Sequence, residues 1–284
     1  MIDITTIDWN EAWKKEDREK KKREQFSTCA ERWADRDRCR KFSLMAQEDN
    51  WKRSRERIAA MNISPDSRVL DIGAGPGTLA IPLAGLVKHV TAIEPSEGMR
   101  ECLTENIRAR GIRNITVIPK NWEDVDPAID LSAPYDVVVA SYSLGVPDLK
   151  DALLKMDAVT GKYVYIFWFA DMASPRQATY AEIWEDLYGT PLPSRRTPNI
   201  IFNLLNQIGI YANVEMSRVE HSRRYSSIDD AVADERQDLN LTKPEQVEIL
   251  RKFLTKQLRP DAGGYLMERT SWQSKIWWEK GSRK

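Results

Sequence analysis

Hydrophobic residues along this chain gather in short unbroken runs, and the stretches between the runs carry apolar positions at helical spacing. Residues 69–72, 89–94, 115–118, 135–141 and 163–169 are rich in apolar and β-branched residues. The fourth and fifth runs are too apolar for strands that face water on one side, and all five are expected as strands of a parallel sheet. Helical patterns fill the gaps: 78–86, then 98–110 closed by Gly111, then 147–159 ending near Gly161. Repeated strand and helix predict a doubly wound α/β sheet, mostly parallel, with helices on both faces. Ligands of such sheets sit beyond the carboxyl ends of the strands, and Asp71, Glu94, Asn121 and Ser141 all fall at such ends.

The flanking segments read differently. Residues 14–24 are almost all charged with both signs mixed, the pattern of a solvated helix or a frayed arm. Phe26, Ala30 and Trp33 then recur at i, i+4 and i+7, and Trp51 and Ile58 lie seven apart, so two amphipathic helices are expected. Residues 1–60 are therefore expected as an N-terminal helical cap or arm on a domain spanning 61–284. Within that domain, 171–261 is too long for a simple connection and is expected to hold a substrate-side insertion. It carries a proline-rich hinge at Pro191, Pro193 and Pro198, a helix over 200–208, a strand over 213–219 and a mixed-charge helix from Ser227. Residues 265–268 and 274–278 are expected as final antiparallel edge strands.

Composition narrows the partners. The 284 residues hold 43 Lys plus Arg against 43 Asp plus Glu, which leaves no positive field to gather nucleic acid. Three cysteines, Cys29, Cys39 and Cys102, form no C-x-x-C pair, and their odd number fits a reducing compartment. No leader or membrane-length apolar run appears in the sequence, so a cytoplasmic location is expected. Oligomeric state is left open, and a homodimer is compatible with the sequence.

The chemistry concentrates where the first apolar run ends: Leu70-Asp71-Ile72-Gly73-Ala74-Gly75-Pro76-Gly77-Thr78. Glycines at two-residue spacing permit a tight turn and let a ligand touch backbone. Thr78 stands where the third glycine of a dinucleotide fingerprint belongs, which argues against a nicotinamide cofactor. The stretch instead resembles motif I of the class I S-adenosylmethionine-dependent methyltransferases, with Glu94-Pro95-Ser96-Glu97-Gly98-Met99 resembling the segment that follows motif II. The resemblance covers about residues 60–170 and is nearest the small-molecule group that includes quinone-biosynthesis enzymes; it implies a Rossmann-like seven-stranded methyltransferase fold. It further implies S-adenosylmethionine as cofactor, S-adenosylhomocysteine as product, and no metal.

In that reading Asp71 meets the cofactor's aminoacyl end, and Gly73, Ala74, Gly75 and Gly77 pass beneath its methionine and ribose. Glu94 takes the ribose hydroxyls, Pro95 and Met99 lie by the adenine, and Ser141 closes the end of the fourth strand. The family usually places an Asp at position 121; Asn121 offers the same acceptor oxygen. Trp122 either stacks beside adenine or covers the sheet end. Tyr142, Trp33 and Trp51 are the substrate-facing candidates, with ordinary packing the alternative for the two tryptophans, and Trp168 and Trp184 fall with them and Trp122 in segments able to face either the cofactor end or the core. No catalytic base is identified, and neither His89 nor His221 is favoured. Residues 141–144 lack the Pro-Pro-Tyr signature of base N-methylation, no Pro-Cys nucleophile is present, Cys29 and Cys39 are thin support for arsenite chemistry, and Asp148 is solitary for a metal-dependent transfer. The expected acceptor is a small molecule. RNA or protein, docked on the 14–23 run with Trp13 and Phe26, is the alternative, and a noncatalytic cofactor-binding protein is the third reading.

Overall fold

A computed structural model of the chain describes residues 6–23, 31, 33–48, 50–171, 175–192 and 198–281. Phe26, Cys29, Ala30 and Pro193 lie outside the described residues. The chain forms two compact units. The first holds 1–168, 198–215 and 274–284, and the second holds 169–197 and 216–273.

Five parallel strands build the heart of the first unit: β1 (Arg68–Ile72), β2 (His89–Ile93), β3 (Ile115–Ile118), β4 (Tyr135–Ser141) and β5 (Thr160–Phe169). β1 pairs with β2 on one side and β4 on the other, and Asp71 stands level with Ala92 and Val139. Two further strands, β6 (Asn213–Tyr225) and β8 (Gly264–Glu279), complete the sheet in the order β3-β2-β1-β4-β5-β8-β6. A short β7 (Arg259–Asp261) pairs only with β8. The two C-terminal runs expected as edge strands are thus one continuous strand, and it is interior, since β6 takes the edge. Lys280 N–H donates to Lys162 O while Ser274 Oγ donates to Trp168 O, so β8 runs antiparallel to β5.

The helices of the first unit are α1 (Trp9–Arg23), α2 (Arg36–Glu48), α3 (Lys52–Ala59), α4 (Ala80–Ala84), α5 (Glu97–Ala109), α6 (Pro127–Asp130), α7 (Leu149–Val159) and, beyond the second unit's first stretch, α10 (Pro198–Gln207). Local chemistry sets their starts. Ser96 Oγ accepts the Met99 N–H at 3.3 Å as the cap of α5, and Asp148 Oδ1 accepts the Asp151 N–H at 3.0 Å for α7. The charged helix α1 is anchored rather than solvated all round. Trp13 is fully buried, its Nε1 donates to Val146 O at 2.8 Å, and its ring meets Trp168 with centroids 6.1 Å apart. Asn10 and Lys14 hold Asp148 at 3.1 and 2.8 Å. Trp51, expected as a pocket residue, is instead buried in the main core with Leu79, Ile81 and Val90.

The second unit contains α8 (Pro175–Thr179), α9 (Trp184–Tyr188), α11 (Ile228–Asp238) and α12 (Pro244–Gln257), with its own core around Tyr180, Leu250 and Phe253. Ser227 caps α11, accepting the Asp230 N–H at 3.0 Å. Trp184 packs on Tyr188 at 4.5 Å in that core. Among the described residues no helix is long and apolar enough to cross a membrane.

Candidate cofactor site

The glycine loop leaves β1 and is stitched to the end of β2. Gly73 and Ala74 both donate their N–H to Ile93 O, at 2.8 and 3.0 Å, and the Gly75 N–H donates to Glu94 Oε2 at 2.7 Å. Glu94 Oε1 accepts the Ser96 N–H at 2.8 Å. Each carboxylate oxygen has two acceptor positions, so one on each oxygen remains for a pair of hydroxyls. Burial raises the Glu94 carboxyl above its ordinary range, and the two backbone donors oppose that rise. Ser143, after β4, donates to Ile72 O and lies directly under Gly73.

Two glycines of the loop do different work. Gly73 has φ +71°, and a Cβ there would run into the Ser143 Cβ. Gly75 has φ +57°, and a Cβ there would meet nothing within 4 Å. The space over Gly75 is therefore open, as a ligand-lined backbone requires. Gly73→Ala is expected to destabilise the fold by more than the ~1 kcal/mol that left-handed backbone alone costs. Gly75→Ala is expected to cost about that strain alone while weakening cofactor binding. Thermal unfolding and calorimetry of both variants separate the two effects; equal losses of stability would contradict the assignment.

Asp71 is the central charged group. It is 2 % exposed at the end of β1, and its Oδ2 is buried with no hydrogen-bond partner. Burial, reinforced by Glu94 and only partly offset by Arg57 and the Ala80 amide, pushes its carboxyl up to about 7. A buried acceptor left without a donor costs about 1–3 kcal/mol, so the fold maintains Asp71 at a loss. An incoming ammonium group would satisfy it, and the residues present fit the aminoacyl end of S-adenosylmethionine.

The remaining expected residues fall into two sets. Asn121 lies just past β3, and its Nδ2 donates to Asp124 Oδ2 at 2.8 Å, which leaves Oδ1 to accept from an adenine amine. Pro95 precedes the α5 cap, and Arg100 donates to the carbonyls of Glu94 and Pro95. Ser141 and Tyr142 end β4, Tyr142 with φ +58° and its N–H donating to Phe167 O at 2.9 Å. Burial raises the Tyr142 phenol against the pull of Arg57 and Arg53, so it stays protonated at neutral pH. Trp122, by contrast, is buried, donates Nε1 to Ala152 O at 3.2 Å and stands under the Lys155 ammonium, so its side chain covers the sheet end. Met99 is packed with Cys39, Cys102, Trp33 and Phe42, a core position that is compatible with a place beside the adenine. Trp33 reaches the site by its backbone, its carbonyl accepting the Ser96 Oγ at 2.7 Å while its ring packs on Phe42. Burial raises the Cys39 thiol to about 11 and raises Cys102 as well, so neither is a nucleophile.

Arg57 was not singled out by the sequence. It lies on α3, donates Nη1 to Ser141 Oγ at 3.0 Å and Nη2 to Ser54 Oγ at 3.3 Å, and holds its guanidinium 5.6 Å over the Tyr142 ring. Among the described residues no cluster of His, Cys, Asp and Glu is arranged to hold a metal ion.

Residues 69–162 match the family model for a methyltransferase domain. An uncharacterized protein of Haemophilus influenzae is 34% identical over 171 residues, covering 59% of either chain. A protein-L-isoaspartate O-methyltransferase of Protochlamydia amoebophila is 31% identical over 106 residues, 36% of this chain and 46% of the relative. The chain thus spans about half the length of these curated relatives. In fold, a putative methyltransferase from Bacillus halodurans superposes with a TM-score of 0.55 at 12% identity, over 82% of this chain and 99% of that one. The match makes residues 69–162 a methyltransferase domain, and the strand order and the glycine loop agree with the class I S-adenosylmethionine-dependent methyltransferases that the sequence resembles.

Proposed function

We propose that the protein binds S-adenosylmethionine at the Asp71, Gly75 and Glu94 site and transfers its methyl group to a small-molecule acceptor. The observation that carries this reading is the buried Asp71 Oδ2 without a partner, beside a loop whose Gly75 faces open space. When bound, the cofactor supplies an electrophilic methyl on a sulfonium. The chain's own residues then position it: Asp71 receives the ammonium, Glu94 the ribose hydroxyls and Asn121 the adenine amine. The acceptor atom forms its bond to the methyl carbon in line as the carbon–sulfur bond breaks, and that electron pair stays on sulfur. Alignment and exclusion of water supply the rate enhancement, so a strong protein base is optional. Tyr142, protonated and at the end of β4, is the proposed acceptor-facing hydrogen-bond donor. Acceptor choice is assigned to residues outside 69–162, with the expected insertion 171–261 first among them.

Balanced charge supports a small acceptor over nucleic acid. A macromolecular acceptor is the second reading, because curated relatives are named for methylating protein isoaspartate, a cobalt-precorrin and 23S rRNA uracil. Transfer of labelled methyl into cell extract split into small-molecule, RNA and protein pools decides between them. Label confined to the small-molecule pool is the expected result; label in RNA or protein overturns the acceptor class. Calorimetric titration with S-adenosylmethionine tests the cofactor, and a protein that binds none, like its Asp71→Ala variant, refutes the reading.

A further inference from the structure

The cofactor's amino-acid end brings three charges into one small space: an ammonium, a carboxylate and the neighbouring sulfonium. The proposed site answers the ammonium with Asp71, and Glu94, the other buried carboxylate beside the glycine loop, adds its negative charge to the same region. A third carboxylate entering beside these two is repelled unless the site supplies a cation. Arg57 is that cation. It is the positive group whose field acts on Asp71, against the combined push of burial and Glu94. Its guanidinium is oriented by two neutral hydroxyls, Ser141 Oγ at 3.0 Å and Ser54 Oγ at 3.3 Å, and lies over the Tyr142 ring. All of this happens where β1 and β4 end side by side, since Ile72 and Ala140 are paired in the sheet.

We infer that Arg57 binds the carboxylate of the cofactor's amino-acid end, opposite the ammonium held by Asp71, so that the N-terminal helix α3 forms part of the cofactor site. A guanidinium carries donors in a fixed planar fork that matches a carboxylate, and one already fixed by packing loses little freedom on binding. With Arg57 counted, the site is net negative by one charge and the cofactor net positive by one. Ser54 and Ile58, one turn apart, bury the same face of α3 and aim Arg57 at the strand ends. The inference rests on the cofactor reading above.

The test is calorimetry on the full chain with two ligands, S-adenosylmethionine and decarboxylated S-adenosylmethionine, which keeps the ammonium and sulfonium and lacks the carboxylate. Both ligands are titrated against wild type and variants at one pH, about 7.5, above the raised Asp71 value and below that at which an α-ammonium loses its proton. The wild type is expected to bind the intact cofactor about tenfold or more tighter than the decarboxylated one. Arg57→Met is expected to lose about that factor for the intact cofactor and almost none for the decarboxylated one, with Arg57→Lys between. Equal weakening of both ligands in Arg57→Met, or equal binding of both by the wild type, overturns the role of Arg57 while leaving the cofactor reading intact. A wild type that binds neither ligand overturns the cofactor reading and this inference with it. Should Arg57→Met fail to fold, the wild-type ratio and Arg57→Lys still decide.

Discussion

Asp71→Asn is expected to make the ligand-free protein more stable and the cofactor complex weaker, two effects of opposite sign from one atom change. The Asp71 carboxyl sits at about 7 because burial and Glu94 penalise its charge. Its ordinary value is 3.8, so the folded chain holds an extra proton between about pH 4 and pH 7 that the unfolded chain has released. Stability therefore falls as pH rises through that window and stays lowered above it. A neutral amide removes the penalty, and at pH 8 the gain is of order a few kcal/mol. Near pH 4 the wild type is itself neutral there, and the gain vanishes. Binding runs the other way. The ammonium loses a charged partner, worth about 10- to 100-fold in affinity. Wild-type affinity falls as pH drops below about 7, because binding must then expel the Asp71 proton; the variant shows no such slope. Thermal unfolding at pH 4 and pH 8, with calorimetry across the same range, checks all of it. Equal stabilisation at both pH values would mean that the charge of Asp71 is not what strains the fold, and such a trade is the usual signature of a binding site.

Much of this site was legible because strand ends and glycine loops write themselves into sequence. The expected strands 115–118 and 135–141 coincide with β3 and β4, and Asp71, Glu94, Asn121 and Ser141 do fall at strand ends. What the sequence hid was direction. Trp51 and Trp122 stood open in the sequence between ligand-facing and packing positions, and both side chains turn into packing. Arg57 was concealed by its company, since Lys52, Arg53 and Arg55 make α3 resemble a solvated basic helix. Its one signal was Ser54 and Ile58 at i, i+4, which mark the inner face. Likewise the alternation in β8 fits an edge strand or an interior one equally well. The choice depends on which strand lies outside it, and that is β6, some fifty residues earlier in the chain.

Glu235→Ala is expected to be the most damaging single substitution in the second unit. Glu235 lies on α11 with no exposure at all, and its Oε1 accepts from Tyr225 Oη at 2.6 Å, Arg269 Nη2 at 2.7 Å and Arg223 Nη1 at 3.1 Å. Arg223 also reaches Asp234 and Asp238. Burial alone would raise the Glu235 carboxyl, but Arg269, the tyrosine hydroxyls and Arg223 outweigh it and hold it at about 2. Because the folded value lies below the ordinary 4.5, the stabilisation is complete above about pH 4.5 and is lost as pH falls toward 2. Deleting the carboxylate leaves two largely buried guanidinium groups without their shared anion, a loss of about 3–5 kcal/mol. Replacing Glu235, Arg223 and Arg269 together with methionine removes the buried anion with its two cations, leaving only the partly exposed Asp234 and Asp238, and is expected to cost less than the single deletion. Urea unfolding of the three proteins, followed for a separate early transition, measures the difference. A loss below about 1 kcal/mol for Glu235→Ala would show that the ion cluster breaks even against its own desolvation, leaving the apolar residues around Tyr180, Leu250 and Phe253 to hold this unit together.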